Sequence, residues 1–271
     1  MSTAWLKPQL NAGYPLVGTF IQSPHVGIAE FLATLPLDFV CLEAEHSPFD
    51  GETMRHIAAV CDLHRMPLMV RPPEAESVYC AQALDAGASG ILAPRVNSAD
   101  EADLVASACC YPPTGSRGVG PGRASGYGAD IVGHLEEARD NTLVAIQIET
   151  ASGIENLDGI LSVAGIDLVF VGPGDLAVAL TGNADPAAAR VRATITAVLE
   201  KSKAAKRMTG IFANTPEIAV DYANEGVDLI ILGSDLVFLA RGVETFLATY
   251  HDALSAYDAN GKSTFDVSDL E

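Results

Sequence analysis

Lysine is scarce in this 271-residue chain: Lys7, Lys201, Lys203, Lys206 and Lys262 are the whole set. With 16 Lys and Arg against 35 Asp and Glu, the formal net charge is -19. That excludes a nucleic-acid surface, because phosphates are repelled and such proteins carry a basic stripe. None of the five lysines lies on an apolar strand pattern or just after one, so a Schiff-base mechanism has no candidate nucleophile. No apolar run reaches the roughly 18 residues that a membrane helix needs. Residues 1–10 also lack the basic-then-apolar order of a secretory leader. Cys41, Cys61, Cys80, Cys109 and Cys110 are odd in number and form no C-x-x-C pair, so they read as reduced thiols of a cytoplasmic protein.

What is present is a globular composition, 49% hydrophobic, with short Val/Ile/Leu runs alternating with longer amphipathic stretches. That alternation is the mark of βαβ units around a parallel sheet. Eight strands are expected, at 17–21, 39–45, 68–71, 90–95, 143–149, 168–172, 210–213 and 229–233, each followed by a helical pattern. Thr53, Ile57, Val60 and Cys61 carry the second helix, 74–86 the third and 186–205 the sixth. Eight units without a break in composition predict an α/β fold of one domain, a closed (β/α)8 TIM barrel over residues 1–257, with a polar, acidic tail at 258–271. A doubly wound open sheet would carry a glycine fingerprint after its first strand, and Gly18-Thr19-Phe20 is not one. About thirty residues between the fourth helix and fifth strand, 111–140, exceed the usual link of about two to six. That link leaves a helix, so it emerges at the barrel bottom, and catalytic arginines on it would serve a neighbouring subunit.

In barrels the reacting groups stand at the C-terminal ends of strands. Here those ends read Glu43-Ala44-Glu45-His46, Arg71, Gln147-Ile148-Glu149 and Gly172-Pro173-Gly174-Asp175. Strand alternation puts Ala145, Gln147 and Glu149 on the inward face and Val144, Ile146 and Ile148 on the outward one; Cys41, Glu43 and Glu45 share a face in the same way. Converging carboxylates repel unless a cation joins them, so Glu149 and Asp175 are candidate ligands for a hard divalent ion, Mg2+ or Mn2+. Taken singly, Asp175 also reads as the cap of a helix starting near Leu176, and Glu149 as a surface-turn residue. Gly172-Pro173-Gly174 offers N–H groups to a carboxylate or phosphate, or merely closes a βα turn. Gly233-Ser234-Asp235 is either a second anion site or a helix cap.

His46 follows two acids at a strand end and suits proton transfer near neutrality, although a lone histidine is more often structural. His25, His56, His64, His134 and His251 lack that context. Arg71 ends a strand buried on both sides, where a fixed charge requires an anionic partner, a carboxylate or a substrate.

These residues carry a resemblance. Glu45-His46, Leu68-Met69-Val70-Arg71, Leu84-Asp85-Ala86-Gly87-Ala88 with Gly90-Ile91, Tyr111-Pro112-Pro113, Arg117-Gly118, Gln147-Ile148-Glu149-Thr150 and Gly172-Pro173-Gly174-Asp175-Leu176 together resemble the HpcH/HpaI aldolase and citrate lyase family. That family comprises the metal-dependent class II pyruvate aldolases. The resemblance covers nearly the whole chain. It implies a lyase in which Glu149 and Asp175 bind the divalent ion (Mg2+ or Mn2+, with Co2+ as a further option) that chelates pyruvate, and Arg71 neutralises the enolate oxygen. It implies that Gln147 and the Gly172-Pro173-Gly174 turn hold the oxoacid, and that His46, oriented by Asp85, performs acid–base chemistry with metal-bound water. It also implies that Arg123 reaches the aldehyde from an adjacent subunit of a hexamer built as a trimer of dimers. One departure is Glu43, where the family often has Asp; it keeps the charge and moves it by one methylene. A CoA-thioester lyase of the citrate lyase β or malyl-CoA type shares this chemistry, but needs a basic groove that five lysines scarcely supply. A non-catalytic oxoacid-binding barrel is opposed by the intact set His46, Arg71, Asp85, Glu149 and Asp175.

Overall fold

The computed structural model describes residues 4–260. Eight parallel strands close in sequence order: β1 Leu16–Ile21, β2 Phe39–Glu43, β3 Leu68–Arg71, β4 Gly90–Ala93, β5 Leu143–Ile148, β6 Leu168–Val171, β7 Met208–Ala213 and β8 Leu229–Ser234, with β8 pairing back to β1. The helices are α1 Lys7–Leu10, α2 Val26–Ala33, α3 Gly51–His64, α4 Ser77–Ala86, α5 Ala99–Cys109, α6 Ile131–Asn141, α7 Ala151–Glu155, α8 Leu157–Leu161, α9 Pro173–Thr181, α10 Ala189–Ala204, α11 Pro216–Asn224 and α12 Asp235–Asn260. The expected barrel is therefore the observed one. The strands end earlier than expected at Glu43, Ala93, Ile148 and Val171, which frees Glu45, Arg95, Glu149 and Gly172 to stand just beyond the sheet.

Alternation builds two cores. Phe39, Cys41, Met69, Leu92, Leu143, Ala145, Leu168 and Phe170 fill the barrel interior, closed from below by Leu6 and Leu10 on either side of the start of α1. Val40, Leu42, Val70, Ile91, Val144, Ile146, Val169 and Ile230 face the helices. Gly18 belongs where it is because a Cβ there would meet the Phe39 ring at 2.7 Å. Asp38, Asp167 and Asp228 each precede an even-numbered strand and accept the N–H of Val17, Val144 and Thr209 at 2.8, 2.9 and 2.7 Å. Each satisfies a strand-start donor that the staggered barrel leaves free.

The long link differs from the expectation: its last third is the helix α6, capped by Asp130, whose carboxylate accepts from Gly133 N–H at 2.9 Å. Its earlier part, with Arg117 and Arg123, packs at the N-terminal end of the barrel, as its position after α5 requires. The boundary expected at 257 falls inside α12, which runs to Asn260; residues 261–271 of the expected tail lie outside the described residues. Along α12, Leu236, Leu239, Val243, Phe246, Tyr250, Leu254 and Tyr257 recur at intervals of three and four and are exposed, Phe246 by 69%. Among the described residues no helix is long and apolar enough to cross a membrane.

Candidate active site

The C-terminal mouth holds a pocket of about 300 Å3 lined by residues that include His46, Arg71, Gln147, Gly174 and Asp175. Its polar floor follows from strand register. Glu43 and Arg71 are direct neighbours across β2 and β3, and both point inward. The Glu43 carboxylate takes Arg71 Nε at 3.1 Å and pairs with its Nη2, while also accepting the Glu45 N–H at 2.8 Å. Arg71 Nη1 donates to Gln147 Oε1 at 3.3 Å, and its guanidinium lies 4.6 Å from the centre of the Phe20 ring. A buried guanidinium with this many partners is held in one orientation. Burial still lowers its pKa from the ordinary arginine value.

Glu149 continues the inward face of β5. Its Oε1 accepts Arg95 N–H at 3.0 Å and its Oε2 accepts the Gln147 amide. The residue is 2% exposed. Burial first, then the negative charges of Asp175 and Glu45, push its carboxyl up to about 7. Asp175 lies in the first turn of α9, beyond the Gly172 cap, and makes no side-chain hydrogen bond among the described residues, so it is not the helix cap. A Cβ at Gly172 would displace the Glu149 carboxylate and the Gln147 amide. Three acids meet at the mouth, Glu149 buried, Glu45 half-buried and Asp175 exposed, and they fit a divalent cation on charge grounds. Among the described residues no group of three or more His, Cys, Asp or Glu is arranged to hold a metal. An ion there would rest on Glu149 and Asp175 alone, leaving its other positions for substrate and solvent.

His46 is largely exposed, and its Nε2 stands 3.8 Å from Glu45 Oε2. The same oxygen is 3.3 Å from Arg71 Nε, and Glu45 Oε1 is 3.3 Å from Arg95 Nε. Glu45 is therefore the joint between an exposed histidine and a buried arginine. Arg95 went unremarked in the sequence although it met the same test as Arg71, an unusual residue ending a strand pattern. Phe20 and Phe212, which complete the pocket wall with rings 6.0 Å apart, gave no signal beyond core aromatics. Ser234 Oγ caps α12 through Val237 N–H at 3.3 Å. Asp235 accepts Gln22 and Ser23 N–H at 2.9 Å each, so this turn ties β8 to β1.

Two expected residues do not join this group within the chain. Asp85, in the last turn of α4, lies at the N-terminal end, where Arg117 Nη2 holds it at 2.7 Å, and it does not reach His46. Arg123 is buried at the same end, paired with Asp62 and packed on Gly87. Both sit on helix or link segments that the barrel places opposite its mouth.

Known proteins match this chain over nearly its whole length. Residues 16–241 match the model of the HpcH/HpaI aldolase/citrate lyase family. A 4-hydroxy-2-oxo-heptane-1,7-dioate aldolase of Klebsiella pneumoniae subsp. pneumoniae is 34% identical over 263 residues, 96% of this chain and 98% of that protein. Among solved structures, an HpcH/HpaI aldolase/citrate lyase family protein from Burkholderia cenocepacia J2315 superposes with a TM-score of 0.85 at 30% identity, over 90% of this chain and 98% of its own. The citrate synthase SbnG superposes with a TM-score of 0.84 at 25% identity, over 92% and 98%. On the match along the barrel and the identity to these relatives, the chain belongs to the HpcH/HpaI aldolase/citrate lyase family.

Proposed function

We propose that this protein is a carbon–carbon lyase that reversibly splits 4-hydroxy-2-oxoacids into pyruvate, or a hydroxylated pyruvate, and an aldehyde. The observation that carries this reading is the fixed guanidinium of Arg71, held by Glu43, Glu45 and Gln147 beside the crowded carboxylates of Glu149 and Asp175. Loss of a methyl proton from pyruvate is costly because the resulting carbanion is unstable; a preorganised cation beside the keto oxygen lowers that cost by delocalising the charge as an enolate. Arg71 supplies this charge. Glu149 and Asp175 are the residues that would hold Mg2+, Mn2+ or Co2+, which when bound polarises the keto group and chelates the oxoacid. Gly172, Pro173 and Gly174 open α9 toward the pocket, so their backbone suits the substrate carboxylate. His46 carries the proton to and from the C4 oxygen, with Glu45 beside it.

The same reading makes the protein a cytoplasmic homo-oligomer, a trimer of dimers. Five free thiols support the location, and the exposed apolar stripe of α12 supports burial against another copy. Asp85, half exposed and anchored by Arg117, is presented outward where it can serve a neighbour's His46. Arg123 must leave Asp62 to do the same for the aldehyde.

Turnover of pyruvate with an aldehyde in the presence of Mn2+ or Mg2+, and without CoA, tests the activity. Absence of condensation and cleavage across a panel of aldehydes, or turnover only of CoA thioesters, would overturn it. Sedimentation velocity tests the assembly, and a monomer at micromolar concentration removes it.

A further inference from the structure

The Tyr111-Pro112-Pro113 and Arg117-Gly118 motifs have no part in the chemistry at the mouth, yet they build one connected structure at the N-terminal end of the barrel. The link turns tightly off α5: Ser116 N–H donates to Ser107 O at 2.8 Å, and Arg117 N–H to Cys110 O at 3.0 Å. A Cβ at Gly115 would collide with both of those carbonyl oxygens, so the turn has no room for a side chain there. It delivers Arg117 to the last turn of α4, where the side chain is 2% exposed and donates from Nη2 to Asp85 Oδ1 at 2.7 Å. The guanidinium lies over the Tyr111 ring, 4.6 Å from its centre, and Tyr111 Oη meets His134 Nε2 of α6 at 3.0 Å.

Arg117 is buried with a single polar partner. Among the described residues, the bond to Asp85 is the only hydrogen bond of its side chain, and its Nε is buried without a partner. Desolvating a guanidinium for one pair with a half-exposed carboxylate does little for stability, and an orphaned buried donor calls for a reason other than stability. No second cation shares the load: burial, then the charge of Arg117, favour the neutral form of His134. Asp85 is equally out of place as a structural residue, because it stands in the last turn of α4 against the negative end of the helix dipole. Its carbonyl accepts the Ala124 N–H at 3.3 Å and its Oδ1 is taken by Arg117. Among the described residues Oδ2 has no hydrogen bond, on a side chain that is 54% exposed. The link thus grips Asp85 by backbone and side chain and leaves one oxygen for a donor from outside the subunit.

We propose that Arg117 is a positioning residue for the adjacent subunit: by fixing Asp85 Oδ1 it directs Oδ2 to a neighbour's His46, with Tyr111 and His134 holding the guanidinium in place. The inference rests on the aldolase reading in which Asp85 works across subunits, and names what holds it there. An unsupported carboxylate at a helix end samples several rotamers, whereas a group that orients an imidazole must keep one. A charge-assisted bond from a buried, ring-backed guanidinium imposes that one orientation.

The test uses the full chain with Mn2+ and the cleavage of 4-hydroxy-2-oxopentanoate, the aldol of pyruvate and acetaldehyde. Asp85→Asn should lower kcat about 100-fold, the scale of a positioned acid–base group. Arg117→Gln should lower kcat about 10-fold and leave KM unchanged, since neither residue touches the oxoacid. Arg117→Lys keeps a charged donor and should recover part of that loss. The double variant Arg117→Gln/Asp85→Asn should stay within about 2-fold of Asp85→Asn, because a residue that acts only through Asp85 then has nothing to position, whereas independent roles multiply. Coexpression of Arg117→Gln with His46→Ala should give mixed assemblies more active than the mean of the two separate preparations, because some sites then pair an intact Arg117 and Asp85 with an intact His46. A loss suffered within the subunit that carries Arg117→Gln would not be restored in this way. If Arg117→Gln does not fold, Arg117→Lys enters the same cycle. Wild-type kcat in both Arg117 variants beside a slow Asp85→Asn, multiplied losses in the double variant, or no gain on coexpression overturns the positioning role and leaves the aldolase reading standing. Wild-type kcat in Asp85→Asn removes the cross-subunit reading and this inference with it.

Discussion

Arg95 Nε stands 3.3 Å from Glu45 Oε1, so a residue from the end of β4 reaches past β3 to the carboxylate that also touches Arg71 and His46. Its own N–H meanwhile holds Glu149, and its backbone takes a left-handed φ of 50° to do both. Arg95 links the acid beside the histidine to the acid proposed for the metal. Removing the side chain frees Glu45 on one side. In Arg95→Ala we expect kcat to fall about 10-fold or more, since small misplacements of reacting groups cost up to about 100-fold. The thermal midpoint should hold, because the side chain is half exposed. Steady-state kinetics beside a melting curve checks both, and an unchanged kcat refutes the link.

Gly172→Ala brings a methyl group into the Glu149 carboxylate and the Gln147 amide. The barrel core is untouched by this change, so the variant should keep its far-ultraviolet circular dichroism and lose at least about 100-fold in kcat/KM. Wild-type activity in a folded Gly172→Ala protein would show that these side chains can part without consequence.

Glu149→Ala removes one of the two carboxylates proposed to hold the divalent ion. After treatment with a chelator, the variant should fail to exchange pyruvate methyl protons in deuterated water, whereas wild type recovers exchange when Mn2+ or Mg2+ is restored. Undiminished exchange in the chelated variant removes the metal from the proposed mechanism.

His134 binds Tyr111 Oη through Nε2 at 3.0 Å and lies beside Arg117, with Asp85, Glu137 and Asp130 as the facing acids. Burial, then the charge of Arg117, lower its pKa below the ordinary 6.5. The folded state thus favours neutral imidazole. Its contribution to stability is complete above pH 6.5 and is lost as pH falls through the folded value, because the unfolded chain takes up the proton first. His134→Gln should flatten the acid side of a plot of melting temperature against pH. Parallel curves for the two proteins between pH 7 and pH 5 would exclude this coupling.

The barrel was legible because parallel strands buried on both faces leave a signal that solvent cannot blur: eight short runs of branched apolar residues. Alternation within β5 was equally readable, with Ala145, Gln147 and Glu149 inward and Val144, Ile146 and Ile148 outward. The helix α6 was not, because its polar, glycine-containing sequence around Gly133 packs few side chains and resembles a loop. Strand ends were read too long wherever a polar residue continued the alternation past the last ladder bond, as at Glu45 and Glu149.

Residue order alone determined the closed barrel, its two apolar faces and the rule that reactive groups gather at strand ends, since each depends on local periodicity and on burial of apolar surface. Which of those groups meet was decided only by the closed fold. Register set Arg71 against Glu43, and the left-handed turn at Arg95 carried it to Glu45 and Glu149. The direction of each helix sent Asp85 and Arg123 to the far end, paired with Arg117 and Asp62. Charge pairs between distant positions have no period in the chain; they exist because the sheet curves back on itself and brings separate strands within a few ångströms.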